Sequence, residues 1–584
     1  MTTTSTGDGD WTSVVGSLTI SDDVVIAHDV DLDGVVNMTG TLTINASKTL
    51  DTTGSNHNLT VSGQCNLAGT LTCNASTISV ASGLTNSLGM RVQSGGTLTG
   101  GTGPHTYGTF NADASGTINV TLTSNTTTIN GSYSDGIAWG MRSGPTFSNG
   151  GGDIHFTGSG NQYLYERNNT ARTLGDVTVN KSGGNFQWYD GGGAHYTMAS
   201  LTITQGTFDT NETDGANPRD LTVQGQTHIN GGTLTCNAST LSLGQTDLSP
   251  ADSTWGLRVQ SGTFTGGSGD HTISSLYSQA GTTTLTSGDT LFNGFNTSSA
   301  SPLKVVGGTW SQTAGKVIFN GTNQQALHLQ KSIQFHDVEF KFAYEMEVFN
   351  WGVSYNITIG GTLTIDASSG FNTKYVSGGA DYDNVLTVTE GATINGTLDT
   401  YGSGGGKATT LGSLTIADGG TYNATSGTTT ITNKSGDYAW KNEETDGTAF
   451  VHNNGTVKID TNTGNTDIHV DIKEDNFYNF EMDMNGTTHE VKLQDADGNN
   501  AVTIYGNLTV SRGIFQSETA GDTFTIHGNT LVEANGTFMG DANHDTNKVI
   551  HNGLVTNLGT YKINDGTTVK LNGGIRQLNT LTIA

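Results

Sequence analysis

Cysteine and proline are scarce in this chain. Of its 584 residues only 3 are cysteine and 5 are proline, and the cysteines show neither an even count nor a C-x-x-C spacing. These numbers argue against a disulfide framework, a cysteine zinc site and a flexible proline-rich linker. We therefore expect Cys65, Cys73 and Cys236 to be free, buried thiols that pack as small hydrophobes.

Hydrophobic residues and positive charge are also low. Hydrophobic side chains make up 33% of the chain, and 24 Lys and Arg oppose 52 Asp and Glu, which leaves a net charge of −28. Such an acidic surface repels phosphate backbones and anionic membranes, so we expect no nucleic-acid partner. The charged fraction is only 13%, with Thr, Ser, Asn and Gly as the polar remainder. This composition indicates short strands joined by tight turns rather than disorder.

Long apolar runs are missing as well. No stretch approaches the roughly 20 apolar residues of a membrane span. The opening residues, MTTTSTGDGDWTSVVGS, contain neither the basic nor the apolar region of a secretion signal. We expect that the chain has no membrane span and that it is synthesised in the cytosol. The alternative is that an export signal was removed and that Met1 replaces it.

Short strand phrases and a long internal repeat dominate what is present. Phrases such as LTI and LTV recur along the chain, bounded by Gly, Asn, Asp or Ser. The phrase GTLTCNAST occurs at 69–77 and again at 232–240, so that Leu71 of the first copy corresponds to Leu234 of the second. Alternation predicts that the leucine, the cysteine and the alanine of each copy share one strand face. These two sets are Leu71, Cys73 and Ala75, and Leu234, Cys236 and Ala238.

The repeats divide the chain into five predicted segments. An N-terminal cap with the first coils spans 1–61, repeat units span 62–222, 223–385 and 386–500, and a partial repeat with a C-terminal cap spans 501–584. Coils of roughly 20–25 residues are typical of solenoid repeats. The predicted fold is all-β, an elongated right-handed parallel β-solenoid, and tandem β-sandwich domains are the alternative. Exposed strand edges at solenoid ends invite pairing, so we expect both ends to be capped or docked.

Several phrases carry a resemblance to known proteins. The run DDVVIAHDVDLDGVVNMTGTLTINASKTL at 22–50, with SLTITQGTFDT and DLTVQGQ, resembles the Gly/Thr/Asn-rich β-solenoid structural proteins of bacteriophage virions. The same phrases are similar to secreted filamentous adhesins of bacteria. The resemblance implies a non-enzymatic tail or head fibre, or a capsid-decorating protein, located in the virion.

The resemblance also implies partners and leaves two alternative functions. The expected partners are other virion proteins and a host-surface glycan, and the expected assembly is a homo-oligomer, with a trimer as the first expectation. A bacterial surface adhesin or extracellular filament subunit is one alternative. An export signal encoded upstream would favour it. A polysaccharide-cleaving phage tailspike is the other, and it predicts that host polysaccharide is shortened.

Aromatic residues near Gly-rich turns are the candidate contact residues. Aromatic rings on turns beside Asp and Asn suit sugar stacking, and they equally suit plugging a wide coil corner or sealing a subunit contact. The candidates for glycan or subunit contact are Trp139, Trp188, Tyr189, Trp255, Trp351 and Trp440.

The acidic residues suggest no catalytic site. Scattered carboxylate pairs such as Glu443 with Glu444, or Glu481 with Asp483, are expected to be surface acid rather than a hydrolytic pair. No nucleophile elbow, phosphate-binding loop or HExxH zinc motif is present in the sequence. We therefore predict no catalytic residue.

One aspartate run resembles the start of a calcium loop. Asp29, Asp31 and Asp33 fit D-x-D-x-D-G, but the twelfth position is Gly40 instead of the bidentate Glu that such loops use. Valine and leucine alternate with these aspartates, which favours a strand with an acidic outer face. We therefore expect no cofactor, and structural calcium is the alternative. At the similar run 495–499 we expect a hairpin turn.

Overall fold

A computed structural model describes most of the chain. The described residues are 2–7, 9–11, 17–82, 89–112, 116–141, 144–166, 172–189, 196–212, 218–244, 255–295, 301–321, 325–350, 352–374, 376–377, 380–402, 406–444, 447–461, 467–494, 501–518, 523–540, 548–563 and 567–583. These residues contain strands and turns but no helix, so none of them forms a helix that could span a membrane. The strands pair in parallel except for Val376–Ser377 with Ala380–Asp381. The all-β parallel solenoid is confirmed, and the β-sandwich alternative, which requires antiparallel sheets, is wrong.

The chain divides into two compact units. Unit 1 comprises Met1–Thr290 with Asn296–Ser298 and Gly307–Trp310, and unit 2 comprises Leu291–Phe295, Ser299–Val306 and Ser311–Ala584. The strands Thr290–Phe292 and Thr309–Ser311 hold residues of both units. The five repeat segments stay predictions, because the division into two units does not test their bounds.

Each coil of unit 1 adds one strand to each of three parallel ladders, here named faces A, B and C. Face A holds Ser17–Ile20, Val35–Met38, Leu59–Val61, Ile78–Val80, His105–Tyr107, Thr127–Ile129, Ile154–Gly158, the first halves of Asp176–Trp188 and Ser200–Glu212, Thr227–Ile229, Leu257–Val259 and Leu276–Ser278. Face B holds Thr2–Thr4, Asp23–Ile26, Leu42–Ile44, Cys65–Leu67, Met90–Val92, Phe110–Ala112, Ile137–Met141, Gln162–Glu166, the second halves of the two long strands, Thr233–Thr235, Thr263–Thr265 and Thr282–Thr284. Face C holds Gly9–Trp11, Val30–Leu32, Thr49–Asp51, Thr70–Thr72, Thr97–Thr99, Ile118–Thr121 and Pro145–Ser148, followed by a second ladder of Arg172–Thr173, Tyr196–Met198, Leu221–Val223, Leu241–Leu243 and His271–Ile273.

Two-residue alternation builds the core of each coil. In phrases such as LTI and LTV the apolar residues point inward and stack on the apolar residues of the next coil, while Thr points outward. On face A, Val36, Leu59 and Ile78 lie in register and are 0% exposed. The register also shows that coil length varies, because Leu18 stacks on Val36 whereas Thr227 stacks on Leu257, much further along the chain.

The long internal repeat does not fill a whole number of coils. Leu71 lies on face C, between Leu50 and Leu98, whereas its equivalent Leu234 lies on face B, between Phe208 and Phe264. The second copy of GTLTCNAST is therefore displaced by one face from the first. Like phrases stack into the same kind of core on either face because all three faces use the same inward alternation.

The repeated phrase also corrects one expectation about its side chains. Cys73 and Cys236 are free and 0% exposed, as predicted. Ala75 and Ala238, however, are exposed, and the serine after each is buried instead. The alternation breaks because Asn74 takes φ 48° and its equivalent in the second copy takes φ 51°, which turns the chain at a coil corner.

Unit 2 repeats the three-ladder arrangement. Its first ladder holds Leu303–Val305, Gln325–Leu329, Glu345–Asn350, Gly370–Asn372, Thr397–Asp399, Thr421–Asn423 and Phe450–Val451, followed by a separate ladder of Thr503–Ile504, Thr523–Ile526, Lys548–His551 and Thr568–Leu571. Its second holds Ile333–Phe335, Asn356–Ile359, Val385–Val388, Thr409–Leu411, Thr428–Ile431, Thr456–Ile459, Asn479–Asp483, the first halves of Leu508–Glu518 and Thr530–Met539, Val555–Asn557 and Ile575–Gln577. Its third holds Lys316–Phe319, Asp337–Phe340, Thr362–Ile365, Gly391–Ile394, Leu414–Ile416, Tyr438–Asn442, Asp467–Asp471, Glu490–Gln494, the second halves of the two long strands, Thr560–Ile563 and Thr580–Ile583.

Aromatic rings stack along the core of unit 2. Phe340 lies between Phe319 and Phe371, with ring centroids 5.3 and 4.6 Å away. Phe538 lies against Tyr561 at 4.8 Å. Rings of adjacent coils at these distances add packing energy beyond the area that they bury.

Candidate functional site

Four of the six candidate aromatic residues lie in the core. Trp139 and Trp440 are 0% exposed, and Trp188 and Trp255 are 4% exposed. Trp139 stacks on Phe110 with ring centroids 4.7 Å apart. This position corrects the expectation of glycan or subunit contact for these four rings, because a ring enclosed by its own coil has no face to offer a ligand.

The remaining two candidate aromatic residues are Trp351 and Tyr189. Trp351 lies outside the described residues. Tyr189 is half-buried at the surface of unit 1, and its ring packs edge-on against Tyr165 at 5.2 Å and tilted against Tyr163 at 6.0 Å. Tyr189 therefore belongs to a surface cluster of three tyrosines on face B.

A cleft opens beside this cluster. It has a cavity volume of about 270 Å³. Its lining includes Arg91, Asn111, Tyr133, Asp135 and Tyr165, with Gly140 at its floor. We call this feature the tyrosine cleft.

The floor of the tyrosine cleft is an outward-facing ladder with one side chain missing. Arg91, Asn111, Gly140 and Tyr165 occupy the same register position on four successive strands of face B. Gly140 leaves the space between Asn111 and Tyr165 empty. A Cβ built there would come no closer than 3.4 Å to any atom outside its chain neighbours, the nearest being on the Asn111 side chain. A larger residue at 140 would therefore occupy part of the cleft.

A turn that contains Tyr133 and Asp135 forms one wall of the tyrosine cleft. The backbone N–H of Tyr133 donates to the Ile137 carbonyl at 2.9 Å, and the N–H of Ile137 donates to Asp135 Oδ1 at 3.1 Å. A β-bulge follows, between Ile137 and Trp139, which turns the indole into the core and leaves Gly140 outward. Tyr133 stays 37% exposed beside the opening.

The polar groups of the cleft suit a hydroxyl-rich ligand. Asn111 Oδ1 is buried and has no hydrogen-bond partner among the described residues. Arg91 supplies planar donors and Asp135 supplies an acceptor at the other side. Tyrosine faces next to such groups bind the apolar faces of sugar rings. At about 270 Å³ the cavity lies just below the roughly 300–1,000 Å³ of small-ligand pockets, so it has room for a short segment of a glycan but not for a large cofactor.

A buried ionic cluster supports the cleft from inside. Glu166, the residue after Tyr165, accepts hydrogen bonds at Oε2 from Arg172 Nε and Tyr196 Oη, each at 3.1 Å. Arg172 also donates to the Pro145 carbonyl at 3.0 Å. Burial raises the pKa of Glu166 to about 7, although Arg172 opposes the shift. The cluster is buried, and Tyr196 Oη also donates to the Tyr165 carbonyl at 3.3 Å, which ties the cluster to the backbone of a cleft residue.

The predicted acidic features lie elsewhere and are engaged by their own chain. Glu481 and Asp483 both contact Lys458, at 3.2 and 3.4 Å. Asp29 Oδ1 accepts from the backbone N–H of Thr49 at 2.8 Å. These carboxylates act in contacts between coils.

The aspartate run forms a strand, as the alternation predicts. Val30 is 2% exposed and Leu32 is 0% exposed, while Asp31 and Asp33 are exposed. Within the described ranges there is no group of three or more His, Cys, Asp or Glu placed to hold a metal ion. The second run, Asp495, Asp497 and Asn499, lies outside the described residues.

Sequence reasoning identified Tyr189, which packs beside the tyrosine cleft, but missed the residues that line the cleft. Arg91 and Tyr165 are far apart in the sequence, and only the coil register brings them onto one ladder. The available signal is the glycine at position 140 within a strand, because glycine in a strand marks a bulge or a place where a ligand or backbone approaches closely.

Comparison of the chain with protein-family models, with curated proteins and with solved structures finds no match.

Proposed function

We propose that this protein is a non-enzymatic structural protein, a fibre or capsid-decorating protein of a virion, that presents the tyrosine cleft to a host-surface glycan. The resemblance of its coil phrases to virion β-solenoids supports the structural role. The tyrosine cleft supports the glycan contact and is the observation that carries this part of the proposal.

The regular coil explains why a scaffold suits this task. Unit 1 stacks inward residues without interruption along face A from Leu18 to Leu276, so the fold devotes its interior to packing. Function on such a scaffold lies on outward positions and turns. Arg91 and Tyr165 are outward positions, and Tyr133 and Asp135 are on a turn.

Binding to an array of bacterial surface polysaccharides tests the glycan contact. We expect the wild-type chain to bind at least one polysaccharide, and Gly140→Val to weaken that binding by about tenfold or more, because the valine side chain occupies part of the cleft. Thr43→Val is the matched control, since Thr43 lies on the same face outside the cleft. Equal binding by wild type and Gly140→Val would refute the cleft as the site.

Detection in purified particles tests the structural role. We expect peptides of this chain in washed virus particles, at a copy number that is constant between preparations. Recovery only from bacterial cell surfaces or from free filaments would instead favour the adhesin or filament alternative.

A further inference from the structure

A row of aromatic rings crosses one corner of unit 2. Its members are His452, Tyr478, Tyr505 and His527, and we call it the aromatic row. Each of these residues lies in the corner just before a strand of the second ladder, and those strands pair with one another in chain order. The aromatic row therefore runs along the stack of four successive coils.

The rings of the aromatic row contact one another from coil to coil. The His452 ring centroid lies 5.6 Å from that of Tyr478 and 5.7 Å from that of Tyr505. The Tyr505 and His527 rings are stacked, with an interplanar angle of 6° and centroids 6.0 Å apart. Tyr505 nevertheless remains 48% exposed, and His527 is exposed as well. The aromatic row thus presents rings to solvent that have already been aligned by their neighbours.

Close backbone stacking holds the corner in place. The backbone N–H of His527 donates to the Ile504 carbonyl at 2.9 Å. Glycine follows both Tyr505 and His527, and a Cβ on Gly528 would lie 2.6 Å or less from Gly506, since its carbonyl oxygen is 2.3 Å away. Because this packing fixes the rings before any ligand arrives, binding loses little affinity to ordering of the surface.

A second row, of asparagine side chains, lies beside the aromatic row. Asn479 Oδ1 accepts from the backbone N–H of Asn507, and Asn507 Oδ1 accepts from the backbone N–H of Asn529, each at 2.8 Å. Asn529 Oδ1 accepts in turn from the N–H of Leu554 at 3.0 Å. These contacts fix the carboxamide oxygens. Because Asn507 and Asn529 are exposed, their NH2 groups are accessible as donors to a ligand.

The corner holds no acidic or strongly basic side chain. Segments 452–455, 477–479, 505–507, 527–529 and 552–554 contain no Asp, Glu, Lys or Arg. Burial lowers the pKa of His452 below its ordinary value, so this imidazole is neutral at about pH 7. Nucleic-acid bases also stack on such rings, but a chain with a net charge of −28 repels their phosphates. The corner therefore suits an uncharged ligand that is rich in hydroxyl groups.

We propose that the aromatic row, with the asparagines beside it, is a second glycan-binding surface that takes an uncharged polysaccharide extended along the stack of coils. The apolar faces of sugar rings stack on Tyr478 and Tyr505, and sugar hydroxyls accept from the NH2 groups of Asn507 and Asn529. Successive coils are about 4.8 Å apart, close to the length of one sugar ring, so neighbouring coils meet successive sugars of one chain. The surface shares no residue with the tyrosine cleft, so it goes beyond the proposed function and does not depend on it.

Affinity electrophoresis of the full chain tests the proposal, in native gels that contain dextran, mannan or a soluble β-glucan. We expect at least one of these uncharged polysaccharides to retard the wild-type chain. Tyr505→Ala should weaken this binding by about tenfold or more, because the exposed ring is lost. Tyr344→Ala is the matched control, since Tyr344 is a 46% exposed tyrosine of unit 2 outside the aromatic row. Unchanged migration in all three gels, or equal loss of binding in both variants, would overturn the proposal.

Two further variants identify the interaction and the site. Tyr505→Phe keeps the ring and should bind within about twofold of the wild type, because stacking uses the ring face. Binding as weak as that of Tyr505→Ala would contradict stacking. Binding that Tyr505→Ala removes from the Gly140→Val background would support the aromatic row even where the tyrosine cleft fails as a glycan site. Loss of binding in Gly140→Val, with full binding in Tyr505→Ala, would assign the polysaccharide to the tyrosine cleft and overturn the proposal.

Competition by oligosaccharides of the retarding polysaccharide tests the extended arrangement. A tetrasaccharide should compete about tenfold better than the disaccharide at equal sugar concentration, because one chain then reaches several rings. Equal competition would indicate a pocket for a single sugar and contradict a surface that spans several coils. Retardation by single-stranded DNA as strong as that by the polysaccharide would show that the rings stack on bases, and it too would overturn the proposal.

Discussion

At the scale of single residues, the three thiols are shielded by the coil. Cys65, Cys73 and Cys236 are 0% exposed. Burial raises the pKa of Cys65 to about 12 and raises the pKa of the other two thiols as well. Reactivity depends on the thiolate, so both access and ionisation oppose modification in the folded chain.

Thiol labelling checks this shielding. We expect a disulfide reagent at about pH 8, near the ordinary thiol pKa, to label essentially none of the 3 cysteines in the native protein and all of them in denaturant. Rapid labelling of any thiol under native conditions would show that its coil opens or that its position is wrong.

Three histidines make stability depend on pH. Burial lowers the pKa of His105, His271 and His551 to about 4 in each case. An unfolded histidine has a pKa of about 6.5, so between these values the unfolded chain binds protons that the folded chain does not. The free energy of unfolding therefore falls as the pH drops from about 6.5 to about 4, by roughly 3 kcal/mol per histidine.

Replacing one of these histidines tests the direction of this pH dependence. His271→Gln removes one titrating group, so thermal unfolding of this variant should lose less stability than the wild type between about pH 6.5 and pH 4. His155→Gln, on an outward strand position, is the control. The interpretation fails if both variants show the same pH dependence as the wild type.

At the scale of elements, coil corners need special backbone. Gly101 has φ +69°, and a Cβ at this position would overlap the carbonyl oxygen of Asn74 on the preceding coil. The equivalent glycine of the second repeat, Gly267, has φ +74° and approaches Asn237 in the same way. The Asn74 side chain in turn donates to Asp51 Oδ1 at 2.6 Å, which ties three successive coils together.

An alanine at this corner should be costly. We expect Gly101→Ala to reduce the free energy of unfolding by about 2 kcal/mol or more, since it adds both left-handed strain and backbone overlap. Gly54→Ala is the matched control, because a Cβ there meets no atom within 4 Å. Equal melting temperatures for the two variants would contradict the corner geometry.

The elements also show what the sequence could predict. Phrases such as the LTV at Leu59–Val61 have an inward–outward–inward pattern that the structure confirms. The fate of Ala75 was not predictable from alternation, because the turn at Asn74 shifts the inward position to Ser76. The burial of Trp139 could not be predicted from the sequence either, because it depends on a bulge rather than on the nearby glycines.

At the scale of the whole molecule, uneven coil length limits prediction. The sequence distance from Leu18 to Val36 is shorter than the distance from Thr227 to Leu257, although each pair spans one coil. The stacking partner of an outward residue is therefore undetermined until the register is known. The parallel solenoid follows from composition and repeats. The tyrosine cleft does not, because it depends on which residues lie above and below Gly140.

The displaced repeat has a consequence for the surface. Since the second copy of GTLTCNAST lies one face away from the first, repeated outward residues do not form one stripe along unit 1. Arg91 lies on face B in the tyrosine cleft, whereas the equivalent Arg258 lies on face A, 5.7 Å above the Tyr277 ring. A glycan site built on Arg91 is therefore not duplicated by the repeat.

Size-exclusion chromatography of a surface polysaccharide with the purified chain tests the central claim most directly, because it measures binding and cleavage in one sample. We predict that protein and polysaccharide elute together, that Gly140→Val abolishes the co-elution, and that the polysaccharide keeps its original length after the protein is removed. Shortened polysaccharide would show a cleaving enzyme, and co-elution that Gly140→Val leaves unchanged would place the binding site outside the tyrosine cleft.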